Sequence, residues 1–167
     1  GLIVLSGGNN SILKYSNGNS ITSQSASFVA DFKKEFIDNF YIEIQRIEGN
    51  DYRIDEEVIL NLAYDNNIPV VATNDVYFEG PDHFEAHDAL MCIEKKLFVS
   101  QKDRKRLSKN HYFKSQNEMQ ELFSDIPEAL FNTIEIAQRC SHRPKIKMPV
   151  LPSCLLYTSP SPRDKSS

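Results

Sequence analysis

Three short apolar runs in the first half of the chain predict three β-strands. Each run is rich in β-branched residues and is followed by residues that favour a turn or a loop. Successive apolar positions, rather than strict alternation, are typical of strands buried on both faces, as in a parallel sheet. The predicted strands are 1–8, 40–46 and 69–73.

The residues between these strands repeat with the period of an α-helix. Phe28, Phe32 and Phe36 stand four positions apart, which predicts the apolar stripe of a helix over 26–36. A second helix is predicted from an acidic first turn, which suits the positive end of the helix dipole. The first turn contains Asp55, Glu56 and Glu57. The apolar face contains Ile59, Leu62 and Ala63. The order strand, helix, strand, helix, strand is that of a parallel sheet or barrel.

Only helices are predicted after about residue 82. Pro127 suits the first turn of the last helix, because proline lacks the N–H group that has no partner there. The predicted apolar face of that helix consists of Leu130, Ile134 and Ala137. The three helical segments are 82–93, 115–123 and 127–140.

The two ends of the chain differ in character from the rest. From Ser153 onward the sequence is rich in serine and proline and has no period of 2 or 3.6 residues, so 153–167 is expected to be non-native or disordered. Residues 154–164, CLLYTSPSPRD, resemble a translated sequencing adapter. At the other end, Gly1 runs directly into an apolar strand, so the natural protein is expected to begin further upstream.

Composition and charge indicate a soluble globular protein. The chain has 167 residues, 40% of them hydrophobic and 25% charged, which is enough for one domain with a core. It contains no apolar run of about 18 residues that could span a membrane. A net charge of -4 argues against a general nucleic-acid-binding surface. The basic cluster KDRKR at 102–106 is interpreted as a solvated face, with a nucleic-acid contact as the alternative.

The cysteines indicate a reducing environment. Cys92, Cys140 and Cys154 are far apart in the sequence and form no Cys-x-x-Cys pair. This pattern indicates neither a disulfide framework nor a zinc ribbon. A cytoplasmic location is therefore expected.

Asp75 carries the clearest candidate chemistry. It follows a buried strand, and the carboxyl ends of such strands are where α/β folds place their functional groups. An Asp-x-His pair at this point would offer a divalent metal two ligands on one side of an extended segment. The third position is Tyr77 instead, so one ligand is missing.

Glu43 is a second candidate. Alternation along the strand places Tyr41, Glu43 and Gln45 on one face. If that face lines a barrel, the carboxylate points into a polar interior. A salt bridge or a solvent-facing edge is the open alternative.

The remaining glycine and histidine patterns are weak signals. Gly7 and Gly8 lack the spacing of a nucleotide-binding loop, so a tight turn is expected. His83 and His87 stand at i and i+4, but Glu85 does not directly follow the first histidine as the glutamate of a zinc helix does, and a zinc site is disfavoured. Structural or surface roles are expected for the two other histidines, His111 and His142.

Six motifs spread over the chain have the order and spacing of one protein family. They are GLIVLSGG, FYIEIQR, IPVVATNDVYF, EAHDALMCI, YFKSQNEMQELFSDIPEALFNTIEIAQRC and KMPVLP. Together they resemble the alpha subunit of bacterial DNA polymerase III, the DnaE-type replicative polymerase. The resemblance runs from Gly1 to about Pro152 and is specific, because several independent motifs are in register.

The resemblance implies a fold and a domain organisation. It implies an α/β fold, namely part of a PHP-type (polymerase and histidinol phosphatase) distorted (βα)7 barrel followed by a helical segment. The carboxyl-terminal part of the barrel is expected at 1–82. The helical end of the PHP domain and the connection toward the palm domain are expected at 83–152.

The resemblance also explains the missing ligand beside Asp75. In the metal-binding PHP domains that this chain resembles, His, Asp and Glu ligands hold the metal ions at the carboxyl ends of the strands. Two of the histidine positions correspond to Ile47 and Tyr77. Neither side chain can offer a neutral nitrogen to a metal. Asp75 is therefore interpreted as a remnant of a metal site, and no metal cofactor is expected within these residues.

The function implied by the resemblance is that of a DNA-directed DNA polymerase. Its catalytic carboxylates and their Mg²⁺ ions would belong to a palm domain outside this chain, so no catalytic residue is expected here, and nucleic-acid-binding residues stay unidentified. The degenerate PHP region is expected to dock the proofreading exonuclease. Other replicase subunits are further expected partners, DNA is bound through the full-length protein, and no membrane is involved. The alternative is a metal-dependent PHP-family phosphoesterase, which needs histidine ligands at positions 47 and 77.

Overall fold

A computed structural model describes most of the chain. The described residues are 1–7, 13, 15–16, 20–21, 23–47, 53–104 and 106–148. Gly8, Lys105, Cys154 and the predicted tail at 153–167 lie outside them, as does the side chain of Asp55.

The strands form one parallel sheet and one separate hairpin. They are β1 (Val4–Leu5), β2 (Tyr15–Ser16), β3 (Ser20–Ile21), β4 (Phe40–Gln45) and β5 (Val70–Thr73). In the parallel sheet, β4 lies between β1 and β5, which confirms the three predicted strands. The hairpin of β2 and β3 was not predicted. Gly7, which follows β1, has a φ of 83°, a backbone conformation that favours glycine. This agrees with the predicted turn.

All five predicted helices are confirmed. They are α1 (Ser23–Phe36), α2 (Arg53–Asp65), α3 (Phe84–Lys95), α4 (Gln116–Leu122) and α5 (Pro127–Arg139). Helices α1 and α2 connect the parallel strands, and α3 to α5 follow the last strand. Short 3₁₀ turns at Ile37–Asn39 and Pro81–His83 lead into β4 and α3.

The core lies between one face of the sheet and the helices. Side chains alternate between the faces of a strand, and the core takes one set from β4 and one from β5. That face contributes Phe40, Ile42 and Ile44, together with Val70 and Ala72. Helices α1, α2, α4 and α5 all contribute residues to the same cluster. The predicted apolar face of α2 is confirmed, because Ile59, Leu62 and Ala63 pack there.

The predicted apolar face of α1 is only partly correct. Phe32 and Phe36 pack against the core, but Phe28 is exposed. The buried positions of the first half of the helix are Ser25 and Val29. The inward face therefore runs through 25, 29, 32 and 36, which is the true 3.6-residue period, whereas a strict step of four drifts around the helix.

The predicted apolar face of α5 is also only partly correct. Leu130 is half-buried against the core, but Ile134 and Ala137 are exposed and Ala129 is the buried residue. The helix is oriented by β5, since Asn132 Nδ2 donates to the carbonyl oxygen of Val70 at 2.7 Å. A polar side chain thus occupies the inward face, and hydrophobicity alone does not locate that face.

Helix α4 begins at a capping box. Ser115 Oγ accepts from the backbone N–H of Glu118 at 3.3 Å, and the Glu118 carboxylate accepts from the backbone N–H of Ser115 at 2.8 Å. The hydroxyls of Ser115 and Tyr112 donate to the same carboxylate. These hydrogen bonds, with that of the Ser115 side chain the largest cause, lower the pKa of Glu118 to about 2.

Residues 1–152 produced alone are expected to aggregate or to stay partly unfolded. Within the described ranges β1 pairs along one edge only, and an unpaired edge can recruit a strand from another molecule. Three parallel strands are also too few to close the expected barrel. Size-exclusion chromatography and thermal unfolding provide the check. A monomer of residues 1–152 that unfolds cooperatively would contradict this prediction.

Candidate functional site

The face of the sheet opposite the core carries a group of polar side chains. Glu43 is half-buried, and its Oε1 atom accepts a hydrogen bond from Gln45 Nε2 at 3.0 Å and another from the hydroxyl of Thr73. The backbone N–H of Glu43 donates to Ser6 Oγ at 3.0 Å. The Glu43 carboxylate is therefore hydrogen-bonded on this face of the sheet. That this face lines a barrel stays a prediction.

Ile47 and Asp75 lie at corresponding points just after the ends of β4 and β5. Gln45 is paired with Thr73 in the parallel register, and Ile47 and Asp75 each follow two residues later. The Ile47 side chain is buried, with 1% exposure, whereas the Asp75 side chain is partly exposed. The position that the family resemblance assigns to a histidine ligand is therefore part of the packed interior.

Tyr77 lies between two histidines. Its ring centroid is 5.8 Å from that of His87 and 5.7 Å from that of His111, both with edge-on geometry. Its backbone N–H donates to the carbonyl oxygen of His111 at 2.9 Å. The phenol ring thus occupies the space between two imidazoles.

Asp75 has a partner that sequence reasoning missed. Asp75 Oδ2 lies 4.0 Å from His111 Nε2, although the two residues are far apart in the sequence. His111 is buried, and its Nδ1 atom lies 2.9 Å from Ser108 Oγ. No local sequence pattern predicts this pair, because it forms only when the segment before α4 folds back on the end of β5. Phe78 and Tyr112 form a parallel bridge at that point.

The residues at this site do not fit a metal. Among the residues that the structure describes, no three His, Cys, Asp or Glu side chains are arranged to hold a metal ion. His83 is half-exposed, and its Nε2 atom lies 4.0 Å from Asp82 Oδ2. Ile47 and Tyr77 supply no ligand of the kind that zinc or manganese prefers.

The full-length protein is expected to bind no stoichiometric zinc or manganese through these residues. The reason is the loss of two ligand positions, at Ile47 and Tyr77, next to Asp75. Elemental analysis of the purified protein, with any metal-binding carboxylates outside this segment mutated, measures the metal content. Two or more ions per chain would contradict the prediction. Asp75→Asn is expected to leave the metal content unchanged.

The basic cluster at 102–106 is not a uniformly solvated face. The Arg104 side chain is 5% exposed and forms a bidentate pair with Asp88, whose side chain is 4% exposed. The interpretation of this cluster as a solvated face is therefore wrong for Arg104, and its burial also removes it from any nucleic-acid contact. Hydrogen bonds from Arg104 hold the pKa of Asp88 below its usual value. The pair ties the segment after α3 to the buried side of that helix.

Arg46 is a second structural arginine that the sequence did not reveal. Its guanidinium forms ion pairs with Glu56 on α2 and with Asp125 in the turn before α5. It also donates to the carbonyl oxygen of Leu122 and lies 4.9 Å from the ring centroid of Phe123. The hydrogen bonds that Arg46 donates to Asp125, and next those to Glu56, raise the pKa of Arg46, so the charge is permanent.

Comparison with known proteins finds relatives among bacterial DNA polymerase III alpha subunits. No family model matches the chain. The DNA polymerase III subunit alpha of Caulobacter vibrioides is 42% identical over 153 residues, which cover 92% of this chain and 13% of the relative. The subunit of Pasteurella multocida is 40% identical over 144 residues, 84% of this chain and 12% of the relative. That of Pseudomonas aeruginosa is 38% identical over 146 residues, with the same two shares of 84% and 12%.

This chain is homologous to one segment of the DNA polymerase III alpha subunit. The family to which the six motifs pointed is thereby confirmed. The chain spans only 12–13% of the length of these three alpha subunits. Most of each relative thus lies outside the aligned segment.

The segment homologous to DNA polymerase III alpha exposes two apolar faces. One comprises Leu90 and Ile93 on α3 with Phe98 just after it. The other flanks a groove of about 480 Å³ between α4 and α5, where Phe131 and Ile134 are exposed. Exposed apolar side chains that lie together are candidates for contact with another part of the protein or with a partner. In the described part of the chain, no helix is long and apolar enough to cross a membrane.

Proposed function

We propose that these residues are a structural part of the catalytic alpha subunit of a bacterial replicative DNA polymerase. The observation that carries this proposal is the 42% identity over 92% of the chain to an alpha subunit. The activity of the whole subunit would be template-directed DNA synthesis in the cytoplasm. Carboxylates and Mg²⁺ ions of the palm would stabilise the attacking and leaving oxygens, and they would lie outside this segment.

Within the subunit, this segment acts as a PHP-type region with a degenerate metal site. The buried Ile47 and the Tyr77 ring held between two histidines support this proposal, because both fill space where a metal centre needs ligands. Glu43 is likewise engaged by Gln45 and Thr73. The residues are packed and hydrogen-bonded, which suits a scaffold.

The partner of this scaffold is the proofreading exonuclease, as the family resemblance implies. The two exposed apolar faces support a docking role, since an interface of about 800 Å² per partner needs apolar surface at its centre. Both faces belong to helices that follow the sheet. Other subunits of the replicase are further expected partners.

A pull-down with the cognate exonuclease tests the docking role. The intact alpha subunit is expected to retain the exonuclease, and a subunit that lacks the PHP domain is expected to lose it. DNA synthesis by the shortened subunit serves as the control for folding. Equal retention by both forms would reject the docking role and leave the polymerase assignment intact.

Single substitutions extend the pull-down to the two faces. Ile93→Glu and Phe131→Glu each place a charge at the centre of one exposed apolar face. Lys96→Glu, at an exposed polar position next to α3, is the matched control. Loss of retention with one apolar-face variant and not with the control assigns the contact to that face.

The alternative function, a metal-dependent PHP-family phosphoesterase, finds no support in the ligand positions. It requires metal ligands where Ile47 and Tyr77 stand. The flanking gene sequence separates the two proposals. A palm domain with paired acidic residues downstream is expected for the polymerase, and a stop codon soon after position 152 would favour the phosphoesterase.

A further inference from the structure

A small cavity lies beside Tyr77 on the side of α3. Its volume is about 170 Å³, below the usual size of a pocket for a drug-sized ligand. A water molecule occupies about 30 Å³ in the liquid, so the cavity has room for a small polyatomic group and not for a nucleotide. The polar side chains that line it are Tyr77, His87, Asp88, Lys95 and Arg106.

Several of these side chains have donor groups without a partner. In the described part of the chain, the Tyr77 hydroxyl, the ring nitrogens of His87 and the Lys95 ammonium form no hydrogen bond or ion pair. Arg106 uses one nitrogen, Nη2, which lies 3.1 Å from Asp88 Oδ2 and 3.4 Å from Glu85 Oε2. Its position over the Phe84 ring, 5.1 Å from the centroid, orients the guanidinium.

The charged side chains that line the cavity have a positive net charge. Asp88 is the carboxylate in its wall, and the bidentate pair with the buried Arg104 compensates its charge. Glu85 contacts Arg106 from an exposed position and is screened by solvent. Lys95 and Arg106 therefore remain as two cationic groups on one small cavity.

We propose that this cavity binds a single phosphate group without a metal ion. A guanidinium and an ammonium are the side chains that proteins use for phosphate, and a phenol and an imidazole can add donors to its other oxygens. The cavity would hold either free inorganic phosphate or one backbone phosphate of single-stranded DNA. The cavity shares Tyr77 with the lost metal position, but its two cationic residues, Lys95 and Arg106, come from α3 and the segment after it. It does not depend on the exonuclease proposal.

Residue-resolved lysine acetylation in the full-length subunit tests the site. Acetylation needs a neutral, accessible amine, so a bound phosphate slows the modification of Lys95. Mass spectrometry compares Lys95 with its exposed neighbour Lys96 as phosphate replaces chloride at constant ionic strength. At a phosphate concentration roughly ten times Kd, the rate at Lys95 is expected to fall about ten-fold, with Lys96 unchanged. A second arm uses a short single-stranded oligonucleotide in place of phosphate.

Arg106→Gln is the decisive variant. It removes one cation while Arg104 still pairs with Asp88, and circular dichroism and thermal unfolding of the variant subunit report its folding. Protection of Lys95 is expected to disappear in this variant and to persist in part with Arg106→Lys. Protection by phosphate, by the oligonucleotide or by both identifies the source of the ligand. Protection by neither, equal protection of Lys96, or protection that survives Arg106→Gln would overturn the proposal.

Discussion

Arg46→Met in the full-length subunit is expected to destabilise the packing of α4 and α5 on the sheet by about 3 kcal/mol. Arg46 joins the end of β4 to Glu56 on α2 and to Asp125 and the Leu122 carbonyl between α4 and α5. Its removal leaves the Glu56 carboxylate, which is largely buried, without a cation. An unpaired buried charge is more costly than the lost attraction alone, because the group stays out of water.

Hydrogen exchange of the peptides that cover 116–139 measures this effect locally, without requiring two-state unfolding of a large protein. Lys34→Met, at an exposed position on α1, is the matched control and is expected to change exchange little. Asp125→Asn is expected to have a smaller effect than Arg46→Met, because Asp125 is mostly exposed and Glu56 still pairs with the arginine. Unchanged exchange in Arg46→Met would show that the guanidinium does not organise this junction.

Arg104→Met is expected to release the segment between α3 and α4. The substitution leaves the buried carboxylate of Asp88 with only the half-exposed Arg106 as a cation. Amides of residues 97–110 are expected to exchange about a hundred-fold faster, the size of effect that follows loss of one partner from a buried pair. Arg106→Met is the matched control, because Asp88 keeps its bidentate pair with Arg104.

The same pair gives this segment a defined pH dependence. Arg104 lowers the pKa of Asp88 from its model-peptide value of 3.8, so the folded state binds fewer protons there than the unfolded state. The resulting stabilisation is complete above that value and is lost as the pH falls through the lower folded pKa. Faster exchange of 97–110 below about pH 3.8, in the wild type and not in Arg104→Met, is the expected result. Equal exchange rates in the wild type and Arg104→Met at neutral pH would contradict the structural role of the pair.

Local patterns were sufficient for the parallel strands and the helices of this fold, but not for the β2–β3 hairpin. The apolar runs of β4 and β5 and the helical periods of α2 and α5 depend on neighbours within a few residues, and these elements formed where they were expected. Faces were harder to predict, because a face depends on what packs against it. Asn132 lies on the inward side of α5 since it reaches the Val70 carbonyl, and this moves Ile134 to the surface.

The sequence by itself determined the class of the fold, the parallel order of strands and helices, the family, and the absence of histidine at positions 47 and 77. Only the tertiary structure decided the partners of the charged side chains. The sequence KDRKR predicted a solvated cluster, yet the Arg104 side chain is buried against Asp88. The sequence also did not indicate that His111 lies beside Asp75. The physical reason is that the charge and polarity of a side chain follow from that residue alone. Its burial and its ion-pair partner depend on segments that are distant in the sequence and meet only in the folded chain.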